Sequence, residues 1–177
     1  MEEMKLANTT LELEPQEEKK LPVSPKIFIV EDDVFYNKVV SYSLSSDDYE
    51  VKSFTNAKDY LEGIANEKPD LVIMDYHLGD TNGTELMNRT HSLSSSIKVV
   101  MISAQEKLDE ATDILKKGAL AFVAKDKMIF SKLKVLALKA GLDKEAAARE
   151  KTVFIYRAIL LGGLTLLFLI YLFVEFL

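Results

Sequence analysis

The chain reads as an open parallel α/β sheet with helices on both faces, followed by one long apolar helix. Three observations lead there. Short apolar runs rich in β-branched residues alternate with helix-period segments in five βα units between Lys26 and about Ala140. Acidic, hydroxyl or basic residues stand at the ends of those runs, as at Asp75, Ser103 and Lys125. Beyond Thr152 only Arg157 and Glu175 carry side-chain charge.

Lys26 to Val30 is a buried strand by composition, and Glu31-Asp32-Asp33 follows it at once. Val34 to Ser46 places Val34, Phe35, Val39, Val40 and Leu44 at helical spacing. Tyr49 to Phe54 alternates as a second strand, and Asn56 caps a helix to Asn66 with Leu61 and Ile64 facing inward. Leu71 to Met74 is an apolar run between two carboxylates, Asp70 and Asp75, and reads as a fully buried strand. A polar turn with Gly79, Asp80, Asn82 and Gly83 leads to a short helix over Thr84 to Thr90, and His91 after it reads as exposed. Ile97 to Ser103 is the fourth strand. Leu108 to Lys117 is a helix closed by Gly118, Ala119 to Lys125 the fifth strand, and Met128 to about Ala140 the fifth helix. In such a sheet, ligands collect outside the carboxyl ends of the strands, which is where Asp75 stands.

Composition narrows the function classes. Hydrophobic residues make up 48% and charged residues 28% of the chain. There is no cysteine, so disulfide frameworks and thiolate metal sites are excluded. A net charge of −6 gives no basic footprint for nucleic acid. Residues 1–25 hold six glutamates, three lysines and three prolines with no apolar period. They read as a disordered acidic tail, a solvated leader or else a docking segment, and lack the pattern of a secretory signal. The turn after the first strand is acidic and free of glycine, which excludes a phosphate-cradling nucleotide loop.

Asp32 and Asp33 after strand one, Asp75 after strand three, Gly83 beyond it, Ser103 after strand four, Gly118-Ala119, Phe122 and Lys125 together resemble the receiver domain of two-component response regulators, over residues 26–140. The resemblance implies a flavodoxin-like sheet of order 2-1-3-4-5, with strands one and three adjacent. Asp32, Asp33 and Asp75 then share one crevice. Three close carboxylates repel one another, and Mg²⁺, a hard cation satisfied by a few carboxylates and water, is the natural neutraliser. On this reading Asp75 is the nucleophile that becomes an aspartyl phosphate. Asp33 ligates the metal directly, Asp32 mostly through water, and the backbone carbonyl of His77 completes the set. Lys125 contacts the phosphoryl oxygens as a point charge, and Ser103 offers them its hydroxyl. The shift of the loop after strand four gives an aromatic ring room to turn inward. Phe122 holds that position, with plain core packing as the alternative.

Some residues depart from the family pattern. Asp126 follows Lys125 where the family usually has a proline joined by a cis bond; a cis bond to a non-proline residue costs about 2.5–4 kcal/mol, so a trans bond is expected, with Lys125 displaced or paired to Asp126. Leu78-Gly79 replaces an apolar-Pro step. His77 and Gln105 occupy the positions that tune phosphoryl lifetime in the family; the His77 side chain either hinders the hydrolytic water or faces solvent.

Ala158 to Val174 is an uncharged run of 17 residues. With its flanks it forms a candidate transmembrane anchor over 153–177, since about 20 apolar residues cross a bilayer core. A helix buried in an oligomer is the alternative. Residues 141–152 read as a juxtamembrane helix. Eight basic and four acidic residues lie from Lys125 to Lys151, which places the receiver side in the cytoplasm as a single-pass, tail-anchored protein. Ala158 and Gly162 are four apart, a small-xxx-small signal for a homodimer, or else lipid-facing small residues. The function expected is a membrane-tethered response regulator. It would accept a phosphoryl group from a histidine kinase or phosphotransfer protein and signal by protein contact or phosphorelay. It would not be an enzyme beyond its own Mg²⁺-dependent phosphorylation and dephosphorylation, and no nucleic acid would be bound. A non-cycling receiver-fold membrane scaffold is the alternative. A metal-dependent phosphatase is a third reading, weakened because its second aspartate would fall at His77. Replacing His77 with Asn is expected to change the lifetime of an aspartyl phosphate several-fold, read by intact mass against time; an unchanged lifetime removes the tuning role.

Overall fold

The computed structural model describes residues 24–45, 49–79, 81–104 and 108–176. The tail to residue 23 and Gln105 lie outside the described residues, and with them the readings of a solvated leader and of lifetime tuning at Gln105. The chain runs β1 Lys26–Val30, α1 Val34–Leu44, β2 Glu50–Phe54, α2 Ala57–Asn66 and β3 Leu71–Asp75. A small hairpin follows, β4 His77–Leu78 and β5 Thr81–Asn82, where the sequence suggested only a polar turn. Then come α3 Gly83–Leu93, β6 Lys98–Ser103, α4 Leu108–Lys116, β7 Ala121–Ala124 and α5 Ile129–Glu175.

The five long strands form one parallel sheet in the order β2-β1-β3-β6-β7. This is the expected flavodoxin-like order, with the hairpin standing outside the sheet. Side chains alternate across a strand, so each buried run feeds two cores. Phe28, Val30, Val72, Met74, Val99 and Met101 pack with Tyr60 and Ile64 of α2, Leu86 and Met87 of α3, and Ile114 of α4. Ile27, Ile29, Leu71, Ile73, Val100 and Ile102 pack with Val40 and Leu44 of α1 and with Leu133, Ala137 and Ala140 of α5. Helices cover both faces, as right-handed crossovers require. β2 lies at the sheet edge, which explains why it is only partly buried while β3 is buried throughout.

Local signals set the helix ends. The Asn56 side chain accepts from Asp59 N at 2.9 Å and caps α2, as its sequence position suggested. The chain reverses after α4 through Gly118 at φ +103°, with Gly118 N donating to Leu115 O and Ala119 N to Ile114 O. His91, expected to be exposed, is half-buried with its ring beside Gly118.

α5 crosses the anticipated boundaries at 140/141 and 152/153 without a break. Gly141 does not end it, because that residue is buried, and an ion pair from Glu145 to Arg149 one turn on supports the next stretch. The distal part is long and apolar enough to cross a membrane, with a mean hydropathy of 2.3 over its most apolar window and none of that window buried. Phe154, Leu160, Leu167 and Phe173 are exposed around its circumference. A helix apolar on all sides has to be covered by lipid or by protein.

Gly83 opens α3 directly beneath the end of β3. A Cβ added there would stand 2.3 Å from the Asp75 carbonyl oxygen and 3.0 Å from both Tyr76 Cα and Met101 Sδ. Gly83→Ala is therefore expected to destabilise the domain by about 1–3 kcal/mol through overpacking against backbone. Urea unfolding measures the loss, and an unchanged midpoint would contradict the close approach.

Candidate functional site

The carboxyl ends of β1, β3, β6 and β7 converge at one edge of the sheet. Asp75 ends β3 and is 5% exposed, Ser103 ends β6 fully buried, and Glu31 and Lys125 follow β1 and β7 directly. Parallel pairing brings them together: Asp75 lies in register with Ile102, and Ser103 with Ala124. The Lys125 amide donates to the Ser103 carbonyl at 2.7 Å, which carries the ladder one residue past β7 and aims the lysine across the edge.

Lys125 holds the site together. Its Nζ donates to Glu31 Oε2 at 2.7 Å and to Asp75 Oδ2 at 2.8 Å. It also stands 4.6 Å from the centroid of the Tyr36 ring, a cation–π contact from α1. Burial alone would lower its pKa, but the hydrogen bonds to Asp75 and Glu31 outweigh it and the net shift is upward. Burial raises the Glu31 carboxyl, to about 7, against the hydrogen bond from Lys125. Among the described residues the buried Tyr36 hydroxyl has no hydrogen-bond partner.

Asp126 does not compete for the lysine. It pairs with Lys132 at 2.6 Å and accepts from Met128 N at 2.8 Å, closing the first turn before α5. No cis peptide bond occurs among the described residues. The trans bond was expected; a displaced Lys125, or one paired to Asp126, is not what the structure shows.

The acidic cluster differs from the expected one by a single residue. Glu31, Asp32 and Asp75 each present an oxygen within 4.8 Å of the others. Asp33, assigned as a direct ligand, is instead the N-cap of α1, its Oδ1 accepting from Tyr36 N at 2.9 Å. β1 stays in register one step past Val30, since Glu31 N donates to Phe54 O at 3.1 Å, and Glu31 is buried there. Asn37 fixes that turn by donating to Glu31 O at 3.1 Å and Phe54 O at 2.9 Å. Neither Glu31 nor Asn37 was singled out from sequence. The available signals were that Glu31 touches the buried run and that the last acid before a helix is a favoured cap. Three hard oxygen donors with one ammonium between them suit a small divalent cation that keeps several waters.

His77 is exposed, its ring edge-on to Tyr76 at 4.7 Å, so its side chain faces solvent. Phe122 is half-buried on β7, in register with Met101 and packed against the core beneath α2, α3 and α4.

A family model described as the response regulator receiver domain matches residues 27–134. The chain is 30% identical over 103 residues to chemotaxis protein CheY of Listeria monocytogenes, covering 56% of this chain and 85% of that one. It is 28% identical over 114 residues to the transcriptional regulatory protein ZraR of Klebsiella oxytoca, covering 64% of this chain but only 26% of ZraR. Among solved structures, a CheY-like receiver domain protein from Methanospirillum hungatei superposes with a TM-score of 0.60 at 27% identity, over 68% of this chain and 99% of that one.

The two neighbouring aspartates are separable by experiment. Asp32→Ala is expected to weaken Mg²⁺ binding at least tenfold. Asp33→Ala is expected to leave that affinity within about twofold while costing about 1 kcal/mol of stability through the lost cap. Calorimetric titration and urea unfolding of the two variants check both; the reverse pattern would return Asp33 to the metal site.

Proposed function

This chain belongs to the response-regulator receiver domain family, and from that membership and the geometry above we propose that it is a membrane-tethered phosphoacceptor whose reactive group is the Asp75 carboxylate. The observation that carries the proposal is the Lys125 bridge. One ammonium reaches both Asp75 and Glu31 from the far side of the sheet, at the strand ends where receiver proteins work. The phosphoryl group comes from a phosphohistidine on a histidine kinase or phosphotransfer protein. A carboxylate oxygen of Asp75 forms the new O–P bond as the N–P bond breaks, and the imidazole nitrogen leaves with the electron pair.

Glu31, Asp32 and Asp75, with the His77 carbonyl, would hold Mg²⁺, which supplies charge neutralisation along the transfer. The chain's own residues do the rest. β3 holds Asp75 rigidly at its buried end, so little freedom is lost on reaction. Lys125 exchanges part of its contact with the carboxylates for the incoming phosphoryl oxygens, and its raised pKa keeps it charged for that role. Ser103, at the same edge, supplies a hydroxyl to those oxygens. The loop after β6 then moves, and Phe122 turns inward to report the change on the face formed by α4, β7 and the sheet-packed part of α5.

The apolar length of α5 crosses the bilayer as a single-pass anchor, and the receiver domain lies on the cytoplasmic side. A homodimer and a downstream protein partner at the membrane are consistent with this arrangement. Asp126 turns away to Lys132 and leaves Lys125 to Asp75 and Glu31, which supports this reading over the non-cycling scaffold.

The test uses the full chain in vesicles with Mg²⁺ and a small phosphoryl donor. One added phosphoryl group by intact mass is expected, dependent on Mg²⁺ and absent in Asp75→Asn. No addition, or addition that persists in the variant, would overturn the assignment of Asp75.

A further inference from the structure

The opposite end of the sheet carries a second ionic assembly with no part in that chemistry. A groove of about 490 Å³ lies where the segments before β3 and β6 face the part of α5 beyond Ala140. Four lysines line it, Lys68, Lys98, Lys144 and Lys151, with two carboxylates, Asp70 and Asp143. Both carboxylates are engaged. Asp70 Oδ2 accepts from Lys26 N and from Lys144 Nζ, each at 2.8 Å, and Asp143 pairs with Lys98. Among the described residues Lys68 and Lys151 have no ion-pair partner, and both are exposed. The groove thus keeps two uncompensated ammonium groups, one on the loop before β3 and one on α5.

Its place on α5 suggests what they are for. Lys151 lies two residues before Val153, where the exposed apolar stretch begins. At 1.5 Å per residue it stands only about 9 Å above Arg157, the last charge before the uncharged run. The polar layer of a bilayer adds about 5–8 Å on each side of the hydrocarbon core, so a lysine there is within side-chain reach of it. Basic groups gathered next to a spanning helix attract anionic lipid. We propose that this groove receives the phosphate-bearing headgroup of an anionic phospholipid, held between Lys68 and Lys151. The bound lipid joins the foot of the sheet to α5 and sets the domain's orientation on the membrane. The proposal rests on the membrane tether proposed above.

A competing occupant belongs to the chain itself. The carbonyl of Ser24 accepts from Lys144 at 3.1 Å, and the sequence before Ser24 is rich in glutamate. The headgroup is favoured because Lys151 lies on the bilayer side of Lys144.

The experiment follows the reactivity of each lysine toward an amine-acylating reagent, read by peptide mass spectrometry. The full chain is placed in vesicles of phosphatidylcholine alone or of an equal mixture with phosphatidylglycerol. Labelling of Lys68 and Lys151 is expected to fall several-fold in the mixed vesicles, while Lys38 on α1 and Lys58 on α2 stay unchanged. Lys68→Gln is expected to abolish most of the protection at Lys151; protection that survives the substitution indicates general surface attraction and overturns the site. Equal protection by inorganic phosphate in phosphatidylcholine vesicles would make it a free-anion site. Protection in both vesicle types that disappears on removing residues 1–20 would assign it to the acidic segment. Loss of the chain from both vesicle types in an alkaline carbonate wash overturns the tether and this proposal together; retention with equal labelling overturns this proposal alone.

Discussion

The ammonium of Lys125 is the contact on which the arrangement of the site depends. Glu31 and Asp75 are both buried at adjacent strand ends, and two such carboxylates without a counter-charge would repel each other and lose most of their hydration. Lys125 reaches them from β7, past β6, across 94 and 50 positions of sequence. Its own placement depends on the ladder bond to the Ser103 carbonyl and on the Tyr36 ring beside it. Strands β1, β3, β6 and β7 and helix α1 therefore all contribute to one charge balance. A cation entering the site joins that balance and does not have to create it.

The two carboxylates that flank the β3 run divide the molecule's work between them. Asp75 faces the edge that holds the acidic cluster and Lys125. Asp70, five residues earlier, accepts from the Lys26 amide and from Lys144 on α5, so it ties the start of β1 and the long helix to the opposite edge. A buried strand thus connects the acidic cluster at one edge to a foot lined by lysines at the other. Because α5 is one helix from Ile129 to Glu175, the part that packs on the sheet and the apolar part are mechanically continuous.

Much of the fold was legible because burial on both faces leaves a strong mark. β1, β3 and β6 are apolar runs that no amphipathic helix produces, and β2 is only partly buried because it lies at an edge. Asn56 and Gly118 announced a cap and a chain reversal. The small hairpin at His77–Asn82 was not legible, since two-residue strands have no periodicity to detect. The half-burial of His91 was hidden as well, because the loop at Gly118 that covers it comes from a distant part of the chain.

The resemblance to receiver domains implied that Ser103 and Lys125 gather at the edge of Asp75; by itself the sequence determined the parallel α/β class, the strand that carries Asp75 and the apolar length of the final helix. These follow from residue type and spacing, which act locally. Only the tertiary structure decided which of three consecutive acids face Asp75. That choice depends on how far β1 remains paired to β2 and on which carboxylate α1 takes as its cap, so Glu31 and Asp32 join the cluster and Asp33 does not. It also decided that Asp126 turns to Lys132 and leaves Lys125 free to bridge β1 and β3. Neighbouring charges in a sequence are interchangeable by composition; the backbone's hydrogen bonds and the direction of each side chain are what distinguish them.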